Sequence, residues 1–151
     1  MPGINTGSIN EERLRLGIDG LRSGRFKKGI GNLHKIAGNE PGPEDEHCCL
    51  GGLSIIAAEN GCPVARTIIG TGGLRREMFG TQESEFLSEE VREWFGFDTN
   101  NPVLITPGGG TTTATHWNDQ GLVGTMELPR PDADFGPIAD GFERTYLNRT
   151  T

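Results

Sequence analysis

"EDEHCCLGGLSIIAAENGCP", residues 44–63, carries the clearest helix signals in this chain of 151 residues and decides much of its fold. Cys49 and Leu53, four residues apart, begin an apolar face that predicts a helix over residues 48–60. Gly61 stands where a left-handed residue commonly ends a helix, and the proline that follows prevents its continuation. The acidic run before the helix favours the positive end of its dipole, so the segment predicts a buried helix after a polar loop.

Three more segments carry the hydrophobic spacing and the end signals of helices. Residues 8–23 open with a Ser-x-x-Glu capping box, and another helix is predicted to begin at Ser88 and end at Gly96. The last begins near Asp134 and extends to about residue 147. Because the first and last of these helices each have one narrow apolar stripe, we expect them to pack in the same core.

Short runs of β-branched residues predict the strands. Two of these strands lie within residues 32–36 and 64–70, and "NPVLITPGGGTTT" gives a third that a proline and three glycines end. Residues 121–129, "GLVGTMELP", are a candidate for a fourth. The segment "TPGGGTTTATHWNDQG", residues 106–121, is predicted to be an exposed loop in which asparagine and aspartate cap a turn.

The order of these elements predicts a single α+β domain over residues 1–151. In it, about four short helices pack on a small, mostly antiparallel sheet. The 24 glycines and 9 prolines indicate that the domain is rich in loops and turns.

Composition excludes several classes of partner. The net charge of −7 argues against non-specific binding to nucleic acid, because the phosphate backbone would repel this surface. No apolar stretch approaches the ~18 residues of a membrane span, so we expect no membrane partner. Three cysteines cannot all pair and no signal peptide is visible, so a reduced, cytoplasmic protein is expected.

A run of cations without any acid extends over residues 22–35, although the whole chain is acidic. Like charges repel one another, and an anionic partner would relieve the repulsion. We therefore expect this run to bind a phosphate-bearing ligand or an acidic patch on a host protein, with a solvated loop as the alternative. The basic island consists of Arg22, Arg25, Lys27 and Lys28, and the candidate ligand-binding set adds Arg75 and Arg76 from the glycine-bordered "IIGTGGLRR".

The cysteines allow three interpretations. Adjacent Cys48 and Cys49 would point about 100° apart on a helix, which suits no single metal ion, and we expect neither a metal nor another cofactor. The second interpretation is a catalytic nucleophile in the first turn of a helix. A cysteine, Cys48 or Cys49, is followed along the chain by His116 and Asp119, and this order matches that of papain-like hydrolases. The third, which we favour, is a packing role with Cys49 buried and Cys48 more exposed.

Several motifs occur in a recognisable order: "GLRSGRFKKGIGNL", "CCLGGL", "LSEEVREWFGF", "HWNDQG" and "DFGPIADGFE". They resemble a group of small, uncharacterised proteins of bacteriophages and prophages, many from actinobacterial hosts. The resemblance covers about residues 14–147 and implies a phage origin, but no activity. Ser54 stands where that group commonly has a third cysteine. A metal site or redox chemistry that needed this cysteine would be lost here, which weakens both hypotheses.

Three functions follow from these observations. The first is a phage accessory protein that acts by binding in the host cytoplasm, where it occupies a host protein or sequesters a phosphorylated small molecule used in host defence. The second is a cysteine-dependent hydrolase or transferase that uses Cys48 or Cys49 with His116. The third is a minor virion or assembly protein. The lack of a convincing catalytic set favours the first over an enzyme.

Overall fold

The fold of this chain is α+β. The structure, a computed structural model, describes residues 8–29, 31–80, 85–121 and 134–147. Its helices are α1 (Glu11–Arg22), α2 (Cys49–Glu59), α3 (Glu89–Phe95), α4 (Ala114–Gln120) and α5 (Gly136–Tyr146), with a short 3-10 helix at Gly72–Leu74. Its strands are β1 (Lys27–Lys28), β2 (His34–Lys35), β3 (Glu46–His47), β4 (Arg66–Ile69), β5 (Arg76–Phe79), β6 (Val103–Ile105) and β7 (Thr111–Thr113).

The strands form two sheets. The larger one has the order β1-β3-β2-β5-β4, in which only the β1–β3 pairing is parallel. Strands β6 and β7 form a separate antiparallel hairpin. The prediction of a small, mostly antiparallel sheet is therefore confirmed.

Strand register gives the larger sheet one buried face and one open face. Side chains alternate along a strand, so the pairing of His34 with His47 and of Lys35 with Glu46 puts the histidines on one face and the lysine on the other. Lys35 also lies opposite Arg76 of β5. Both histidines are buried, whereas Lys35 is exposed. The side of the sheet that carries Lys35 is called the open face below.

The first and last helices share one hydrophobic core, as predicted. Ile18 of α1 and Ile138 of α5 are 2% and 1% exposed, and both belong to the same buried cluster. Helices α2, α3 and α4 contribute to this cluster as well. None of the helices within the described residues is long and apolar enough to cross a bilayer.

Glycine at position 51 allows α2 to approach the strand segment closely. A Cβ atom there would lie 1.6 Å from the carbonyl oxygen of Leu33, the residue just before β2. No side chain fits at that distance, which explains why a glycine stands in the first turn of a buried helix despite its low helix propensity. The close contact fixes the position of β2, and hence of Lys35, relative to α2.

Two predictions about local structure were wrong. Helix α1 begins after Asn10, whose side chain accepts a hydrogen bond from the N–H of Arg13, and Ser8 donates to the carbonyl of Gly96 instead of capping. Residues 107–110 form an exposed turn as predicted, but residues 111–120 are not a loop, because they form β7 and α4, with Trp117 fully buried. The strand suggested for 121–129 lies, apart from residue 121, outside the described residues.

Candidate functional site

The two arginines of the basic island are paired with acids on the helices. Arg22 Nη2 lies 2.6 Å from Asp140 Oδ1 and 3.2 Å from Glu143 Oε1, both on α5. Arg25 forms a bidentate salt bridge with Glu59 at the end of α2, in which Nη1 and Nη2 donate to the two carboxylate oxygens. These contacts tie the end of α1 and the loop after it to two helices that are distant in sequence.

The two lysines of the island also have partners within the chain. Lys27 Nζ lies 3.6 Å from Glu44 Oε2, and Lys28 Nζ donates a 2.6 Å hydrogen bond to the carbonyl oxygen of Asn118. The mutual repulsion from which we predicted an anionic partner is thus relieved inside the chain. That premise was wrong for the basic island. The acids that pair with Arg22, Arg25 and Lys27 lie in other segments of the chain, so the sequence of residues 22–35 does not reveal them.

An asparagine clasp joins the Cys-Cys motif to the Asn-Asp motif. Asn118, which is fully buried, accepts a 2.9 Å hydrogen bond from the N–H of Cys49 and donates to the carbonyl of Gly29 and to Asp119 Oδ1. The same Asp119 oxygen accepts from the N–H of Gly31. The two motifs therefore meet in space, where they hold Gly29 and Gly31 against the start of α2.

The arrangement of the thiols does not favour a nucleophile. Cys48 and Cys49 are 2% and 0% exposed, so Cys49 is buried as predicted, but the prediction that Cys48 is more exposed was wrong. Burial raises the pKa of Cys48 to about 12 and that of Cys49 well above its usual range. Cys49 Sγ contacts the carbonyl oxygen of Ala114 at 3.7 Å, whereas His116 is on the exposed side of α4.

A cluster of four charged side chains, three of them buried and the exposed Arg66, lies on the face of the sheet opposite the open face, and it was not predicted from the sequence. His34 Nδ1 lies 2.7 Å from Glu77 Oε1, and its Nε2 lies 2.6 Å from Asp45 Oδ2. Arg66 holds both oxygens of Glu77, at 2.5 and 3.0 Å. Because both ring nitrogens face carboxylates, His34 is an imidazolium, and two cations balance two anions. We call these four residues the buried ion cluster.

The pKa directions agree with this balance. Burial acts to lower the pKa of His34, but the hydrogen bonds that its ring donates to Glu77 and Asp45 outweigh burial and raise that pKa. Burial acts to raise the pKa of Glu77 and of Asp45, yet hydrogen bonds to their carboxylates lower both. The cluster connects β2, β4 and β5 with the loop before β3, so it holds together the strands that carry the open face.

His47 lies beside the cluster in the opposite protonation state. Its ring stacks on that of His34 at a centroid distance of 4.3 Å and is tilted against Phe26 at 5.0 Å. Burial, followed by the charge on His34, lowers the pKa of His47 to about 4. Its Nδ1 has no hydrogen-bond partner within the described residues. His47 is therefore neutral at pH 7 and only 8% exposed.

A groove crosses the open face above the buried ion cluster. It consists of two adjoining cavities of about 360 and 310 Å³, and Lys35 and Gly73 line both of them. Arg75 and Arg76 line the smaller cavity together with Glu85, and Arg76 donates to the carbonyl of Leu74. The cationic end of the groove is defined by Lys35, Arg75 and Arg76.

The cations at this end differ from those of the basic island. Among the described residues, the Arg75 side chain donates only to the carbonyl oxygens of Gly38 and Gly72. No ion pair within the described residues involves Lys35, Arg75 or Arg76. Two of the six predicted ligand-binding residues thus lie together at an unpaired cationic surface. Lys35 was missed, because its place beside Arg76 on the open face depends on the pairing of β2 with β5.

No group of three or more His, Cys, Asp or Glu side chains in the described part of the chain is placed to hold a metal ion. No protein-family model, curated protein or solved structure matches this chain. The resemblance of its motifs to phage proteins therefore stays a prediction, and the function has to be argued from the groove.

Proposed function

We propose that this protein binds a small anionic ligand at the cationic end of the groove. The observation that carries the proposal is the convergence of Lys35, Arg75 and Arg76 on one cavity, with no ion pair to any residue that the structure describes, on a chain whose net charge is −7. Guanidinium groups offer several N–H donors in a fixed plane, which suits phosphate and carboxylate oxygens. Such cations on an acidic protein attract an anion locally.

The shape of the groove favours a small molecule over a flat protein surface. Its cavities of about 310 and 360 Å³ are each at the lower end of the range for small-molecule sites. Binding is favoured over catalysis because the thiols, the best nucleophile candidates, are buried and protonated. The phage setting and the sequestration of a defence-related ligand rest on the motif resemblance, and the cytoplasm as location rests on the three cysteines, which cannot all pair.

Titration calorimetry with inorganic pyrophosphate tests the proposal. We expect saturable binding at low ionic strength that weakens as salt is added, because exposed charges are screened beyond about 10 Å at 0.1 M. Lys35→Met and Arg75→Ala/Arg76→Ala should each weaken binding at least ten-fold. Lys35 is the sharper test, since its side chain forms no ion pair in the described structure, and its loss should leave the melting temperature nearly unchanged.

The matched control is Arg22→Ala/Arg25→Ala, which removes two cations of the basic island. Its affinity for pyrophosphate should stay within about two-fold of the wild-type value, because salt screens the effect of these distant charges on the groove. The proposal fails if the wild-type protein does not bind pyrophosphate, or if the control variant loses binding while the groove variants keep it. Native mass spectrometry of the protein from infected cells would then show whether a host protein is the partner instead.

A further inference from the structure

The two ends of the groove have different charge character. Opposite the cationic end, the larger cavity is lined by Glu44 and Glu46 together with Lys27 and the shared Lys35. Glu44 is paired with Lys27 at 3.6 Å, but its side chain is 80% exposed, so carboxylate lone pairs remain available. The pair Glu44 and Glu46 is called the acidic end below.

An ionised carboxylate only accepts hydrogen bonds, so the acidic end selects a donor. Glu44 and Glu46 attract hydroxyl or N–H groups, with hydrogen bonds stronger than those made by neutral acceptors, while Lys27 and Lys35 of the same cavity balance their charge. A uniformly anionic ligand that filled the whole groove would leave these acceptors without donors. A ligand that spans it has an anionic group at one end and hydroxyl or N–H donors at the other.

The sheet sets the length of such a ligand. Glu46 of β3, Lys35 of β2 and Arg76 of β5 form one row across the open face, since Lys35 pairs with both neighbours. Neighbouring strands lie about 4.8 Å apart, so Glu46 and Arg76 are separated by roughly 10 Å. Flexible side chains shorten or lengthen this span by several ångströms. A phosphate joined to a pentose or hexose, with or without a base, has matching dimensions.

We propose that the ligand of the groove is a phosphorylated, hydroxylated small molecule of the sugar-phosphate or nucleotide class. Its phosphate contacts Lys35, Arg75 and Arg76, and its hydroxyl or amino groups donate to Glu44 and Glu46. This inference rests on the proposed function, because it names the ligand class of the same groove. It adds the acidic end as a second contact region for the ligand, and substitutions at the acidic end test the inference separately from the proposed function.

The test compares ribose 5-phosphate with inorganic phosphate as probes, by titration calorimetry at one pH and ionic strength. The wild-type protein should bind ribose 5-phosphate at least ten-fold more tightly. Glu44→Gln/Glu46→Gln keeps the side-chain shapes but removes the anionic acceptors, and it should reduce this preference about five-fold or more. Binding of inorganic phosphate should stay unchanged or become tighter in the variant.

The matched control is Glu85→Gln, which removes one acid at the cationic end and should leave the preference for ribose 5-phosphate intact. Equal binding of both probes by the wild-type protein would refute the inference while the proposed function stands. Retention of the full preference by Glu44→Gln/Glu46→Gln would refute it as well. If neither probe nor pyrophosphate binds, both the inference and the proposed function fail.

Discussion

Acidification from pH 6.5 to 4.5 should destabilise the folded chain through His47. The pKa of this histidine is about 4 in the folded chain, against an ordinary value of 6.5. In this window the unfolded chain therefore binds a proton that the folded chain does not, so the free energy of unfolding decreases as the pH falls. The cause is burial of the ring beside the imidazolium of His34.

The members of the buried ion cluster, which lies beside His47, titrate outside this window. The contribution of His34, whose pKa is raised, is complete below 6.5 and is lost only as the pH rises through its folded pKa. The contributions of Glu77 and Asp45, whose pKa values are lowered from 4.5 and 3.8, are lost only at lower pH. Protonation linked to His47 should thus lower the free energy of unfolding by about 2 kcal/mol between pH 6.5 and 4.5, since one pKa unit corresponds to about 1.36 kcal/mol.

Urea denaturation at pH 6.5, 5.5 and 4.5 measures this effect. The wild-type protein should lose about 2 kcal/mol more than His47→Gln over the window, which is a large share of a typical stability of 5–15 kcal/mol. The same substitution at the exposed His116 is the matched control and should leave the wild-type loss in place. Equal pH dependence in wild type and His47→Gln would refute the assignment of a neutral, buried His47.

Three further predictions concern the framework of the site. Gly51→Ala should lower the free energy of unfolding, measured by urea denaturation, by several kcal/mol, because the alanine Cβ would lie 1.6 Å from the carbonyl oxygen of Leu33. A loss below about 1 kcal/mol would show that α2 and β2 are not in close contact. Asn118→Ala should cost about 3 kcal/mol in the same assay, since it leaves the N–H of Cys49 and the carbonyl of Gly29 without partners; a neutral effect would contradict the clasp. In the native protein none of the three cysteines, which are all buried, should react with a thiol reagent within minutes, whereas rapid labelling of Cys49 would revive the nucleophile interpretation.

The helices could be predicted from sequence because their end signals are local. Ser88 caps α3 by accepting from the N–H of Val91, and Gly96 ends it with a φ of 89°. Helix α4 was missed although Thr113 caps it locally by accepting from the N–H of His116; Asn101 adds a second acceptor, for the N–H of Thr115, from a more distant segment. Strands β1, β2 and β3 have two residues each, too few for an alternating pattern to be visible.

The site was only partly predictable for the same reason. Charge density along the chain indicated the basic island, but Arg22 and Arg25 are paired with acids 118 and 34 residues away. The buried ion cluster joins four segments, and nothing in any one of them marks its histidine or acids as buried. Arg75 and Arg76 were identified correctly as a local pair of cations, whereas their convergence with Lys35 depends on strand pairing.

The most direct test of the central claim is a two-dimensional NMR titration of the labelled protein with inorganic phosphate and with ribose 5-phosphate. The claim is that the open face, and not the basic island, holds the anion. We predict saturable shifts of the backbone amides of Lys35 and residues 72–76 with both probes, and additional shifts at Glu44 and Glu46 with ribose 5-phosphate only. Shifts confined to residues 22–28, or no saturable shift with either probe, would contradict the account.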